Sequence, residues 1–437
     1  MKLSSYYVPV LKEKPSDCKI ASHGLMLQAG MIRQNAAGLY TFLPLAIKVI
    51  DKITNVIRQE INSMGGSQVI MPTIQEADLW IKSDRYDAYG KEMLRITDRH
   101  GRDLLYSPTN EEICSHLLSK DVSSYKDLPK NLYQINWKFR DEIRPRHGLM
   151  RAREFLMFDG YSFTTNQSQA EEVYYNYYKS FLTIFRKLGL FAIPVRAATG
   201  AIGGDLSHEF QIISNDSGES KIFFDKEFET LYKQKKPLDF ESINHLYATT
   251  DEHAVEDMDS NKPADAIEKM GIEVGHIFFF GDKYTKSLDI SVRDNTDKEL
   301  YPLMGSYGLG VTRILAAAIE ASHDSSGIIW NEEMAPFDCH LVNLSPKDEE
   351  ITKLCNDLYN SSENLDILMD DTTNSVGQKL ATADLIGIPY QIIVGKKIVQ
   401  QNCVQIKHRT TGLISEVNID ELKQKITTAR KMSVFFQ

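Results

Sequence analysis

No run of about 18 apolar residues, the length that spans a bilayer as a helix, occurs anywhere in this chain of 437 residues. The N-terminus, MKLSSYYVPVLKEK, has no apolar signal core, so the sequence predicts a cytosolic protein without a membrane attachment. Cysteine is scarce. The five residues (Cys18, Cys114, Cys339, Cys355, Cys403) are scattered and never spaced as C-x-x-C. That pattern excludes a disulfide scaffold, argues against a structural zinc site and suits a reducing compartment. Positive charge is not in surplus either. With 50 basic against 60 acidic residues the formal charge is −10, so any polyanion must be bound by a local cluster. Internal repeats and low-complexity tracts are missing as well.

What is present is ordinary globular material, 42% hydrophobic and 25% charged, long enough to bury full cores in two or three domains. Residues 45–63 place Ala46, Ile50, Ile53, Ile57 and Ile61 at helical spacing, and Gly65-Gly66 stops that helix. A short strand should follow and end at Pro72. From Leu132 to Arg140 the period becomes two, with Tyr133, Ile135, Trp137 and Phe139 on one face. Arg151 to Phe163 reads as the returning strand of an antiparallel hairpin with a long tip. Helix is expected at 174–189, and strands at 210–214 and 273–280. The acidic stretch near 222–262 lacks strong periodicity and reads as a small surface insertion. Beyond Ala335-Pro336, strand and helix signals alternate as in a compact α/β domain.

Five segments could carry chemistry. The densest is WKFRDEIRPRHGLMRAREF, residues 137–155, with Lys138 and five arginines against Asp141 and Glu142. By strand parity Arg140 and Glu142 share one face of their strand, and Arg151, Arg153 and Phe155 share a face of the return strand, so the hairpin would display them over one floor. Guanidinium groups to grip phosphate, a carboxylate to accept from an exocyclic amine and a ring to stack are the parts that a nucleotide needs. A salt-bridged, solvated hairpin is the plainer reading of the same residues. In MGSYGLGVTRILAAAIE, Gly308 and Gly310 lead into a helix whose first turn carries Arg313, an arrangement that suits an anion. By itself it is equally a packing device. In SPTNEE, Thr109 to Glu112 matches a helix capping box, and Thr109 with Glu111 could equally hold an amino group. GAIGGDLSHEFQIIS (200–214) and GIEVGHIFFFG (271–281) each set a carboxylate and a histidine into an apolar strand. These are His208 with Glu209, and Glu273 with His276. A buried acid there needs a partner or a metal, and simple alternation puts Glu273 and His276 on opposite faces.

Taken in order, these segments resemble the three signature motifs of class II aminoacyl-tRNA synthetases. AGMIRQNAAGLYTFLPLA, SPTNEE, the 131–163 hairpin, GAIGGDLSHEF and EVGHIF are similar to the bacterial-type prolyl-tRNA synthetases, over residues 1 to about 215 and 270 to 437. The resemblance implies an α/β (α+β) protein. A six- or seven-stranded antiparallel sheet flanked by helices would occupy residues 1–335, followed by an anticodon-binding domain at 336–437. It implies activation of L-proline by ATP and transfer to proline tRNA, in a homodimer braced on the 45–63 helix.

By that resemblance Arg140 would grip the ATP α-phosphate and the proline carboxylate. Glu142 would read the adenine amine, Phe155 would stack on the base, and Arg151 and Arg313 would hold the γ-phosphate. Thr109 and Glu111 would bind the imino group, and Phe158 and His208 would wall the ring pocket. Glu273 would be a Mg2+ ligand, and Arg144 and Arg146 would meet the tRNA acceptor end. Two departures stand out. Only the short 222–262 stretch lies where the family usually carries a large editing domain, as in its short form. Thr372 and Val376 replace an arginine and a proline of the family pattern. A synthetase for threonine or histidine, or a non-catalytic paralogue that has lost its ATP contacts, are the competing readings.

Overall fold

The computed structural model describes every residue except 17, 198–205, 216, 235–237, 252–261, 429–431 and 433–437. The glycine-rich GAIGGD at 200–205 and part of the 222–262 stretch therefore lie outside the described residues. The chain forms two compact units, one of Ala36–Leu39 with Ile53–Ala317 and one of Met1–Asn35, Tyr40–Lys52 and Ala318–Gln437.

The larger unit is built on a sheet of nine strands among the described residues, not six or seven. The order runs Ala248–Thr250, Ser220–Phe224, Ile267–Gly281, Leu303–Gly310, Glu154–Thr164, Lys130–Phe139 and Ser67–Gln68. Leu206–Ser214 also pairs with Ile267–Gly281, and Ala192–Arg196 pairs with Leu206–Ser214. All pairings are antiparallel except Ser67–Gln68 on Lys130–Phe139. The count exceeds the expectation partly because the 222–262 stretch is not merely a surface insertion. Its Ala248–Thr250 strand pairs with Ser220–Phe224, which in turn pairs with residues 267–271, so the stretch widens the sheet.

One face of this sheet is covered by the helix Gln167–Lys187. Its Tyr174, Tyr177, Tyr178, Phe181 and Phe185 recur at helical spacing and are all buried. The ring of Tyr177 stacks on Tyr307 at 3.5 Å and 5°. Gly160 permits that approach, since a Cβ there would lie 2.7 Å from the Tyr177 hydroxyl. Phe158 and Phe210 point to the same face and meet Phe181. The opposite face carries polar side chains. Gln134 and Lys138, polar residues on the face opposite Tyr133 and Trp137 by alternation, are fully buried, whereas Trp137 is 36% exposed. The apolar alternation therefore identified a strand but not its wet side, because both faces are covered.

The second unit contains a five-stranded sheet, ordered Ile367–Asp370, Cys339–Asn343, Tyr390–Val394, Cys403–His408, Ile414–Asn418. The first three strands are parallel and the last two antiparallel. Helices Glu349–Ser361 and Ile419–Thr428 supply Ile351, Cys355, Leu358 and Leu422 to its core. Helix Val376–Ile386 buries Lys379 against Asp370 at 3.0 Å. Thr372, one of the two departures from the family pattern, folds its hydroxyl onto the same Asp370 carboxylate at 2.6 Å. Val376, the other, is 46% exposed.

Candidate active site

On the polar face of the larger sheet lies a cavity of about 340 Å3. Its walls come from the hairpin loop, the SPTNEE segment, the strand Ile267–Gly281 and the strand Leu303–Gly310, which runs directly into the helix Val311–Ala321. Of the sequence-predicted residues, Thr109, Glu111, Arg140, Glu142, Arg151, Phe155, Glu273 and Arg313 all line it.

The hairpin positions the first group. Its strands stop at Phe139 and resume at Glu154, later than the expected Arg151. Residues Gly148–Arg151 form a single 3-10 turn entered through His147, whose φ is 63°. Strand parity therefore does not govern Arg140, Glu142, Arg151 or Arg153. Arg153 turns away to pair with Asp141 at 2.5 Å and is absent from the cavity wall. Arg140 lies 5.4 Å from the Phe155 ring and donates to the Pro108 carbonyl at 3.3 Å. Glu142 Oε1 accepts from Arg151 at 2.9 Å and from the Arg144 backbone N–H at 3.2 Å. Its partial burial works to raise its pKa, but these partners together with Arg313 hold it below the usual value. Arg144 and Arg146 are exposed on the loop.

At the other end Glu111 is buried with Glu112 against a single arginine. Glu111 accepts from Thr109 Oγ1 at 2.7 Å, Ser306 Oγ at 3.0 Å and Arg85 Nη1 at 3.1 Å. Glu112 accepts from the same Arg85 nitrogen at 3.0 Å and from Ser83 at 2.8 Å. The Thr109 hydroxyl is thus spent on Glu111. The expected capping box is not formed, since Asn110 occupies the N-cap position without a side-chain cap bond. Beneath, Asp159 pairs with Lys138 at 2.8 Å and accepts from Gln134 and from Tyr161, whose hydroxyl accepts from the Asn110 backbone N–H at 2.8 Å.

Glu273 and His276 share a face after all, with His276 Nδ1 3.4 Å from Glu273 Oε1. The pairing slips between Phe210 and Gln211, which face Gly275 and Glu273, so a bulge at Val274 inverts the alternation. Glu209, on the neighbouring strand, joins them. One ligand atom from each of Glu209, Glu273 and His276 lies within 4.8 Å of the others. Burial pushes the Glu273 carboxyl up, but His276, Arg313 and Arg140 outweigh it and leave the group below its ordinary value. Two ionisable carboxylates and an imidazole are a donor set that fits a divalent cation. Arg313 donates to the Glu273 carbonyl at 2.8 Å and approaches Glu219 at 3.3 Å.

Phe158 and His208 are not brought to the cavity. Both face the covering helix. Phe158 packs on Tyr133 and Phe181. His208 Nδ1 meets the Tyr174 hydroxyl at 2.7 Å, and burial pushes its pKa down to about 4. Sequence reasoning missed Arg85, Tyr89, Met157, Asp159 and Ser306, all of which line the cavity. For Asp159 and Met157 a signal existed, because they share parity with Phe155. Arg85 sits outside every motif.

Residues 93–322 match the family model described as the tRNA synthetase class II core domain (G, H, P, S and T). Residues 338–429 match the anticodon binding domain. The antiparallel sheet and its arginine-lined cavity are therefore those of a class II aminoacyl-tRNA synthetase. Within that class, the chain is 49% identical to a proline–tRNA ligase of Brucella anthropi, over 96% of this chain and 98% of that one. It is 48% identical to one of Rickettsia prowazekii, over 97% and 98%. The chain belongs to the proline–tRNA ligase family. Among solved structures it resembles Giardia lamblia prolyl-tRNA synthetase in complex with prolyl-adenylate. The TM-score is 0.72 at 19% identity, covering 91% of this chain and 74% of that one, a likeness of fold.

Proposed function

We propose that this cavity joins L-proline to ATP, giving prolyl-adenylate and pyrophosphate, and that the prolyl group then passes to the 3′-terminal ribose of proline tRNA. The observation that carries this reading is one cavity with two chemically different ends. Arg140, Glu142, Arg151, Phe155 and Arg313 suit a nucleotide triphosphate, and the Thr109–Glu111 end suits a cationic imino group. Phe155 offers a stacking face. Glu142 Oε1 holds Arg151 and leaves the other oxygen for the adenine amine. Arg140 stands where the α-phosphate and the attacking carboxylate meet, and Arg313 and Arg151 take the outer phosphates. The proline carboxylate is already the nucleophile, so no general base is needed. Catalysis is in-line positioning plus neutralisation of charge. Glu273, with Glu209 and His276, would hold Mg2+, which when bound supplies further neutralisation of phosphate charge. Amino-acid-dependent ATP–pyrophosphate exchange tests the reading. Exchange driven by threonine or histidine rather than proline, or by none, would overturn it.

The exposed Arg144 and Arg146 are assigned to the tRNA acceptor end, and residues 336–437 to the anticodon. On a protein of charge −10, phosphate contacts must be concentrated. Reversing both loop arginines to glutamate should therefore impair aminoacylation at least tenfold more than pyrophosphate exchange, with a shallower salt dependence. Equal damage to both steps would remove the assignment.

A cytosolic homodimer is the expected assembly. The strand Ser67–Gln68 ends the large sheet, and beside it Ile70 is 77% and Ile74 41% exposed. Such an edge with adjoining apolar side chains suits a partner copy. Sedimentation should give a dimer, and Ile70→Asp should shift it toward monomer. A monomeric wild-type protein at working concentration would contradict this.

A further inference from the structure

Glu112 is fully buried and takes no part in lining the cavity, yet it shares one nitrogen of Arg85 with Glu111. Arg85 Nη1 lies 3.1 Å from Glu111 Oε2, and 3.0 and 3.2 Å from the two oxygens of Glu112. Arg85 Nη2 is buried without a hydrogen-bond partner. The guanidinium is thus not forked onto either carboxylate, although a two-nitrogen fork is its strongest mode of pairing. It is held in this divided position by rings on three sides, Trp80 at 4.7 Å, Tyr284 at 5.4 Å and Tyr89 at 5.7 Å. One cation between two anions leaves a net negative charge. The carboxylate that reaches the cavity is Glu111.

We infer that Glu112 is a positioning residue that sets the charge of the amino-acid end: by holding part of Arg85 it leaves Glu111 under-compensated and so attractive to the incoming imino cation. The inference rests on the assignment of Glu111 to the imino group above. If Glu112 loses its charge, Arg85 is free to swing its second nitrogen onto Glu111, and the attraction falls. The ATP end is not involved.

Protonation should do what substitution does. Burial raises the Glu112 carboxyl to about 6, against the opposing pull of Arg85, while Glu111 is held low by Arg85 and Thr109 despite its burial. Glu112 is therefore charged above about pH 6 and neutral below it, so the KM for proline should climb as pH falls through that value. The other titratable groups around the pair are Arg85, Tyr89, Cys114, Tyr161, Lys283 and Tyr284. Burial moves the Cys114 thiol and the three tyrosines further up, away from this range. Lys283, pushed down by burial and Arg85, is controlled directly by Lys283→Met.

The experiment is pyrophosphate exchange from pH 5 to 8 with wild-type, Glu112→Gln, Ser83→Ala, Lys283→Met and Glu111→Gln proteins. Glu112→Gln is expected to raise the KM for proline about tenfold at pH 8, leave kcat and the KM for ATP within twofold, and abolish the rise at low pH. Ser83→Ala removes a hydrogen bond to the charged form of Glu112 and should move the low-pH limb upward while leaving the fold intact. Lys283→Met should keep the limb. The inference is overturned if Glu112→Gln retains the wild-type proline KM and pH limb, if its losses fall equally on ATP and proline, if Ser83→Ala leaves the limb in place, or if Lys283→Met removes it. If Glu111→Gln also leaves the proline KM unchanged, the amino-acid end itself has been misplaced. A proline KM that rises in Glu111→Gln but not in Glu112→Gln overturns only the present inference.

Discussion

Arg140→Ala should lower proline-dependent pyrophosphate exchange by about 10²- to 10³-fold, the loss seen when one preorganised donor to developing charge is removed. The side chain lines the cavity, with its guanidinium 5.4 Å from Phe155 and its N–H groups on the Pro108 carbonyl. It belongs to no buried core, so the folded state should survive, and the circular dichroism spectrum and unfolding midpoint should match wild type. Arg140→Lys should recover little, since a point charge cannot reproduce two directed N–H groups. Near-normal exchange by a folded Arg140→Ala protein would remove Arg140 from the reaction.

Lys138→Met should have the largest effect on stability, about 3–5 kcal/mol, because it strands a buried carboxylate. Lys138 and Asp159 are both essentially inaccessible and lie 2.8 Å apart on neighbouring strands. Asp159 also fixes Gln134 and Tyr161, so the vacancy would propagate to the Asn110 backbone at the amino-acid end. The measurement is the urea midpoint, and the double variant Lys138→Met/Asp159→Asn should regain part of the loss by removing the stranded charge. Unchanged stability in the single variant would show that Asp159 is satisfied by other means.

The elements most legible in the sequence were those with one clear period. The helix Pro44–Ser63 and the alternation in Lys130–Phe139 were both plain, as was the strand–helix order of the last hundred residues. The cavity wall was largely legible too, because Arg140, Glu142, Phe155 and Arg313 carry side-chain chemistry that a nucleotide needs. The misplacements share a cause in backbone geometry. Phe155 and Phe158 differ by three residues, so in an unbroken strand they must face opposite sides. Parity alone would have sent Phe158 toward Phe181. His208 has even parity with Phe210 and follows it to the covering helix. Glu273 and His276 break the same rule in the other direction, because a bulge inverts the alternation between them. A one-residue slip of register leaves little trace in amino-acid type.

Arg85 was hidden for a different reason. It sits in the short helix Arg85–Ala88, entered through Asp84 in a left-handed conformation, and nothing in the surrounding residues marks the position as interior. Only the three-dimensional arrangement shows a cation held among rings and facing two carboxylates.

The strands at 220–224 and 248–250 have a further consequence, for solubility. An unpaired strand edge is a template for other chains, and short outermost strands are one way that proteins blunt it. Here the last strand is only three residues long, Ala248–Thr250, and it shields Ser220–Phe224, which in turn shields residues 267–271 of the longest strand of the sheet. A chain trimmed of this segment would present the edge at residues 267–271, with its free N–H and C=O groups, to its neighbours. The strands at 220–224 and 248–250 thus cover an edge that would otherwise be open to self-templated assembly.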